Sequence, residues 1–447
     1  TKLDRALKSK PRAMVIAGRK EMTKPEGDAL TLAAAKGLNI LWIEMSAKGW
    51  TPVKVDEHAI AAFTFVRAPE DPALQGLDNH DFKLWQPNSI AVKNAMIKPA
   101  EGSYDIILDC YNSLSRSALM RLYAGRGSWL LCQLPVISDW QTEPASSYVF
   151  LKLVSTIGQQ PYRSKYKLNL IGNGKSELAK ALNKLKIPFA PNSSGKILAV
   201  DGSKPLNDIE TGRIDACCKC GGTVFVDGLN SVNASTLSRM SGVRISLKPS
   251  GAFQVIKNKN GGLLSGLSNS DLYWAATPDA VYKEFLSKIK KRKYMYKGDT
   301  MLYGEIVCRD IPATTRPGAL LEIPYQQGRI LINTVNWRKF LNLKVIESRR
   351  YVSTLLHNLG VSISSDEHRA EYIPVNISYL ANRGFHNENN HTPGWFGNGD
   401  DDMRYFPVNR TGIDPELKVP CPVESFPSGI RNYGGIDFKL INPDRNH

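Results

Sequence analysis

Three short stretches hold residue types that could do chemistry. Cys217, Cys218 and Cys220 stand together as CCKC, and a C-x-x-C pair can hold zinc or cycle between thiol and disulfide. Zinc needs a second ligand pair, and neither another C-x-x-C nor an H-x-x-x-H follows at zinc spacing, so these read first as ordinary thiols. GNGKS at 172–176 imitates a phosphate loop, because it follows a strand-like run and opens a helical one. The complete loop also needs a glycine five residues before Gly174, where Asn169 stands. The stretch therefore reads as a glycine turn, with Ser176 and Glu177 favouring the start of a helix. In the last stretch, Trp395, Phe396, Tyr405 and Phe406 surround Asn398, Asp400, Asp401, Asp402 and Arg404. Aromatic faces stack on sugar C–H surfaces and the polar groups suit hydroxyls, while the acidic run could hold a structural calcium through hard oxygens. The bland alternative ranks ahead of both: Trp395 and Tyr405 fill a core and GNGDDD is a solvated turn.

The elements that must position these residues show a repeat. LQGLDNHDFKLW at 74–85 returns as LSGLSNSDLYW at 264–274, with Gly76, Asn79 and Asp81 matched by Gly266, Asn269 and Asp271 at a constant offset of 190 (266 − 76). Downstream, 125–158 parallels 326–360: a glycine turn, an apolar strand, a polar connection with Glu143 or Glu347, and an amphipathic helix. Order and spacing are kept, so one domain is duplicated. Within the second copy, KYKLNLIG, KILAVDG and GGTVFVDGL predict strands, and KSELAKALNKLKI (stopped by Pro188) and DIETGRIDACCKC predict helices. RAMVIAG, LNILWIEM, YDIILDC and SWLLCQL predict strands in the first copy. Apolar strands alternating with helices predict a mostly parallel, doubly wound sheet. Beyond about 365 the chain turns rich in Asn, Gly, Pro and aromatics, which predicts strands and long loops of a jelly-roll sandwich. The expected domains are 1–163, 164–364 and 365–447. The first lacks a counterpart to the second copy's opening strand and helix, and the third is short, so both outer domains are expected to be incomplete. Trp85 and Trp274 fall at equivalent points, which favours a shared packing role over a sugar-stacking one.

Composition narrows the class. A chain of 447 residues with 42% hydrophobic and 22% charged residues is globular and long enough for two or three domains. No apolar run approaches the eighteen residues of a membrane span. Seven cysteines at irregular spacing form no disulfide framework. The net charge of +16 invites a nucleic-acid partner. The basic residues are spread along the chain, however, and the one dense cluster (Lys288, Lys290, Lys291, Arg292 and Lys293) reads first as a solvated helix end.

GLDNHDFKLW and GLSNSDLYW, each followed by a strand of the type GRGSWLLCQL or GRILINTVNW, resemble the tandem glutamine-amidotransferase-like domains in the C-terminal part of large bacterial glycoside hydrolases of the β-galactosidase type. GWFGNGDDDMRYFP, ESFPSG and YGGIDFKLINP resemble the start of the sugar-binding β-sandwich that accompanies them. The resemblance implies two Rossmann- or flavodoxin-like α/β domains followed by a partial sandwich, and hydrolysis carried out by two carboxylates in a separate barrel. The Asn387–Glu388 pair is similar to the barrel's asparagine–glutamate but falls in a polar loop. An active amidotransferase needs a cysteine on a strained strand-to-helix elbow with histidine and glutamate behind it. The candidate elbows, WIEMSAKG at 42–49 and VFVDGLNS at 224–231, hold no cysteine. Both domains are therefore expected to be catalytically dead.

The function expected is a non-catalytic accessory region of a secreted glycoside hydrolase, periplasmic or extracellular. It would bind poly- or oligosaccharide through Trp395, Asn398, Asp402, Arg404 and Tyr405, self-associate, and need no cofactor beyond the calcium considered for Asp400–Asp402. A structural or assembly protein reusing these folds ranks second. Nucleotide or nucleic-acid binding ranks third.

Overall fold

A computed structural model describes residues 2–363 except 19–20, 101, 112–113, 115, 160–165, 173, 251, 253, 259–260, 273, 275–300 and 343–344. The expected sandwich and the basic cluster after Lys283 lie outside the described residues. The described residues form two units, one from those up to 159 together with 261–270, the other from 166–258 and 271–363.

The first unit begins with α1 (Lys2–Lys8), β1 (Ala13–Ile16), α2 (Lys24–Ala35) and β2 (Asn39–Ile43). Short strands β3 (Val55–Asp56), β4 (Thr64–Val66) and β5 (Ala95–Ile97) precede the longer β6 (Tyr104–Cys110), β7 (Arg116–Ala124) and β8 (Gly127–Cys132), and α3 (Pro144–Thr156) follows. The sheet is mixed. β1, β2 and β8 run parallel, while β7 is antiparallel to β8, β6 and β5. Both faces are covered, which is why β2 and β8 are apolar at nearly every position rather than alternating. Ile40, Trp42, Trp129 and Leu131 pack with Leu30 and Ala34 of α2. Leu41, Ile43, Leu130 and Cys132 pack with Val149 and Leu153 of α3. On the α2 side Trp50 stacks on Trp42 with ring centroids 6.5 Å apart. A Cβ at Gly27 would fall 2.0 Å from the Trp50 ring, so this mid-helix glycine is a steric requirement.

The second unit contains β9 (Leu168–Leu170), α4 (Glu177–Lys184), β10 (Phe189–Pro191), β11 (Ile197–Asp201), α5 (Asp208–Lys219), β12 (Thr223–Asp227) and α6 (Ser231–Ser241). Then come β13 (Ile245–Lys248), β14 (Ile256–Lys257), β15 (Glu305–Cys308), β16 (Thr315–Arg316), β17 (Leu320–Tyr325), β18 (Gly328–Asn333), α7 (Trp337–Asn342) and α8 (Ile346–Asn358). Its main sheet has the order β10-β9-β11-β12-β18-β17, parallel except for the β17 edge. That is a doubly wound order: the chain moves outward from β9 to β10, then reverses to β11 on the other side. Leu198, Val200, Val224, Val226, Ile330 and Ile332 form one buried face with Ile214 of α5 and Leu237 of α6. The alternate residues Ala199, Phe225 and Leu331 are buried as well, so this sheet too is covered on both sides. Ser176 caps its helix as expected from the sequence, and a capping box opens α5. Ser176 Oγ accepts from the Ala179 amide at 3.1 Å, and Asn207 and Glu210 satisfy each other's amides at 2.9 Å.

The repeated motif folds alike in both places. Gly76 and Gly266 share φ = +80°. Trp85 Nε1 donates to the Asp81 carbonyl at 2.8 Å and Trp274 Nε1 to the Asp271 carbonyl at 2.7 Å. Both indoles are buried, 1% and 0% exposed, and neither offers a face to a sugar ring. Glu143 caps α3, accepting from the Ala145 amide, and its other oxygen accepts from the Gln86 amide, both at 3.0 Å. Its counterpart Glu347 is buried in the first turn of α8.

Candidate functional site

In doubly wound sheets, ligands and reacting groups gather beyond the carboxyl ends of the parallel strands. At that edge of the first unit β2 is followed by Glu44 with φ = +56°, a left-handed conformation that costs a side-chain-bearing residue roughly 1–2 kcal/mol. In the second unit β12 is followed by Gly228 with φ = +83°. The two are equivalent: the Glu44 amide donates to the Cys132 carbonyl at 2.8 Å, and the Gly228 amide to the Asn333 carbonyl at 2.7 Å. Both units thus turn sharply at this point, β12 into α6 and β2 into the loop that leads to β3, and neither turn carries a cysteine or serine at the left-handed residue. Glu44 uses its carboxylate structurally, its Oε1 accepting from the amides of Ile137 at 2.7 Å and Ser138 at 2.9 Å. The thiol nearest in sequence to this edge, Cys132, is fully buried, and burial pushes its pKa up to about 12. It is a protonated core residue at neutral pH.

The second unit's strand ends carry a polar cluster. Asp201, Asp227 and Asn333 are the last residues of β11, β12 and β18 and lie side by side in register. Arg338, in the first turn of α7, clamps both carboxylates. Its Nη1 and Nη2 donate to Asp201 at 2.9 and 3.1 Å, and its Nε lies 3.0 Å from Asp227 Oδ2. Asp227 Oδ1 also accepts from Asn333 Nδ2 at 2.8 Å and Trp337 Nε1 at 2.7 Å, and Tyr351 Oη donates to Asn333 Oδ1 at 2.8 Å. The guanidinium sits over the Tyr303 ring, 5.5 Å from its centroid. Burial raises the Asp227 carboxyl, against the pull of Arg338 and the two side-chain donors. Burial also presses the partly exposed Asp201 upward, but the Arg338 hydrogen bonds and charge outweigh it and the net direction is down. Burial, with the Asp227 charge behind it, pushes the Tyr303 phenol up to about 12.

Above this cluster opens a crevice of 390 Å³ between α4 and α7, within the range of roughly 300–1,000 Å³ usual for small-molecule sites. It stands at the switch point, where the chain reverses between β9 and β11. Lys180 and Lys184 line it from α4, Lys204 from the turn after β11, and Arg338 and Lys339 from α7. The acidic lining is Glu177, which pairs with Lys180 at 2.8 Å, and Asp201, which is held by Arg338. GNGKS opens α4 but does not line the crevice. Its serine is occupied as the helix cap and the Gly172 amide donates to Asn192 Oδ1 at 3.1 Å, as expected of a glycine turn.

Trp395, Asn398, Asp402, Arg404 and Tyr405 lie outside the described residues, as does the acidic run considered for calcium. Among the described residues no group of three or more His, Cys, Asp or Glu side chains could hold a metal ion, and no helix is long and apolar enough to cross a membrane. Sequence reading missed the crevice. Its one sequence signal is the pair of aspartates closing the apolar runs KILAVD and TVFVD, since an acid at the end of an otherwise apolar parallel strand is aimed at the ligand edge of the sheet.

No known protein family and no curated protein matches the chain by sequence. Among solved structures it is similar to an exo-β-1,4-mannosidase from Opitutaceae bacterium strain TAV5, at 10% identity and a TM-score of 0.27, covering 52% of this chain and 45% of that one. It is similar to a β-galactosidase from Bacillus circulans sp. alkalophilus, at 12% identity and a TM-score of 0.28, covering 48% and 34%. For a β-galactosidase from Rahnella sp. R3 the values are 11%, 0.27, 52% and 39%. The chain spans less than half the length of each. Likeness of this degree places no residue and transfers no activity.

Proposed function

We propose that this chain is a non-catalytic region of a secreted glycoside hydrolase, made of two amidotransferase-like α/β domains and the beginning of a sugar-binding sandwich. The observation that carries the non-catalytic part is the pair of emptied elbows. Glu44 and Gly228 occupy the left-handed position where acyl transfer would need cysteine or serine. The duplicated GLxNxD motif, with the same glycine conformation and the same tryptophan-to-backbone bond in both copies, supports descent of the two halves from one domain. In this reading the region stiffens and assembles the enzyme, and saccharide contact falls to Trp395, Asn398, Asp402, Arg404 and Tyr405.

The test uses the full 447-residue chain. It is expected to release no ammonia from glutamine and no nitrophenol from nitrophenyl galactosides or mannosides. It is also expected to be retarded in gels containing neutral galactan or mannan, with Trp395→Ala reducing the retardation. Turnover of any of these substrates would overturn the non-catalytic reading. Unchanged migration in both polysaccharides would remove the sugar-binding part.

A further inference from the structure

The crevice between α4 and α7 is not used by the accessory reading, and its lining is not that of a passive surface. Five basic side chains converge on it against two carboxylates, and both carboxylates are engaged, Glu177 by Lys180 and Asp201 by Arg338. With Asp227 counted behind Arg338, five basic groups face three carboxylates, so the crevice carries a net positive charge that favours an anion. The floor beneath them is rigid. Arg338 is tied to Asp201 and Asp227 and cannot swing out, and Tyr303 is stacked beneath its guanidinium. Lys184 is also positioned, donating to the Leu341 carbonyl at 3.4 Å and to Asn342 Oδ1 at 3.2 Å across the crevice. Around the lysines stand neutral hydrogen-bonding groups, Ser203, Asn336, Asn342 and the Tyr303 phenol. The phenol stays protonated at neutral pH and so remains a donor. Lysine ammoniums serve as point charges for an anionic group, and neutral amides and hydroxyls suit the hydroxyls of a small polar ligand.

We infer that this crevice binds a small anionic saccharide, a sugar ring bearing a carboxylate or phosphate, with Lys180, Lys184 and Lys204 on the anion and Ser203, Asn336 and Asn342 on the hydroxyls. The inference does not depend on the chain belonging to a glycoside hydrolase. It concerns a site lined by residues of the second unit, and Ser203 and Arg338 of that lining stand beside Gly228.

Titration calorimetry on the full chain at low ionic strength tests it, with glucuronate, glucose 6-phosphate, inorganic phosphate and glucose as the four probes. Binding of glucuronate or glucose 6-phosphate is expected, at least about tenfold tighter than inorganic phosphate and with glucose silent. A preference for glucuronate marks an acidic glycan as the natural source, and a preference for glucose 6-phosphate a phosphorylated sugar. The double variant Lys180→Gln, Lys204→Gln changes two exposed side chains. It is expected to weaken the preferred probe by about tenfold or more while leaving the unfolding temperature within a degree or two. Silence with all four probes overturns the inference. So does equal affinity for inorganic phosphate and the anionic sugars, which would make the crevice an unspecific anion trap, and so does binding that the double variant leaves intact.

Discussion

Asp227 is fully buried and is a partner that Arg338, Asn333 and Trp337 share. Removing one member of a buried ion pair leaves the other uncompensated, which costs about 3–5 kcal/mol. Asp227→Ala is therefore expected to lower the stability of the second unit by about that amount in urea unfolding, and a loss below about 1 kcal/mol would mean the network is not a keystone of the fold. The pH dependence follows from the same residues. In the native protein Asp201 is held below its ordinary value, so its contribution is complete above the unfolded carboxylate value of about 3.9 and is lost as pH falls through the folded one. Asp227 is raised, so the native carboxyl takes up its proton before the unfolded one does, and its cost at neutral pH diminishes on acidification. In Arg338→Met both carboxylates lose their counter-charge and both are pushed up. That variant is expected to gain more stability than wild type as the pH falls from 7 to 5, and a variant profile parallel to wild type would contradict the assignment.

At the scale of elements, the two sheets share one left-handed turn at the carboxyl end of a parallel strand. In each turn the backbone amide donates a hydrogen bond to the carbonyl of the neighbouring strand's last residue. In the first unit a further tie runs from Glu44 to the amides after β8. The left-handed φ at Glu44 persists because this tie offsets its cost. Glu44→Ala keeps the strain and loses both accepted bonds, while Glu44→Gly loses the bonds but relieves the strain. Both are expected to destabilise by chemical denaturation, alanine by about 1 kcal/mol more than glycine. The reverse order would show that the left-handed backbone is not strained there, and unchanged stability in both variants that the carboxylate ties do not hold the turn.

For the molecule as a whole, the formal charge of +16 is a diffuse field, distinct from the crevice. The chain is expected to be retained on a sulfated polysaccharide column at low salt and released steeply as salt rises. The Lys180→Gln, Lys204→Gln variant, still at +14 (16 − 2), is expected to elute almost with wild type. A large shift in its elution would place most of the polyanion affinity in the crevice. The strands β1, β2, β6, β8, β9, β11, β12 and β18, the helices over 177–184 and 208–219 and the repeat of Gly76 and Gly266 were legible in the sequence, because apolar runs, caps and glycine turns are local facts, whereas β7, β10 and β17 were not read. So was the lack of a nucleophile after β2 and β12, since it needs only the identity of the residues at a strand's end. The equivalence of Glu44 with Gly228 was not legible, because it rests on strand register. Nor was the crevice. Lys180 and Lys184 on one helix read as a solvated face until β11 and α7, whose Arg338 lies 158 residues beyond Lys180 (338 − 180), are folded beside them. The sequence by itself determined which segments bury apolar faces and therefore which elements form. Only the tertiary structure decided which charges meet, because electrostatic energy depends on separation in space, and a doubly wound sheet brings the ends of distant strands to one edge.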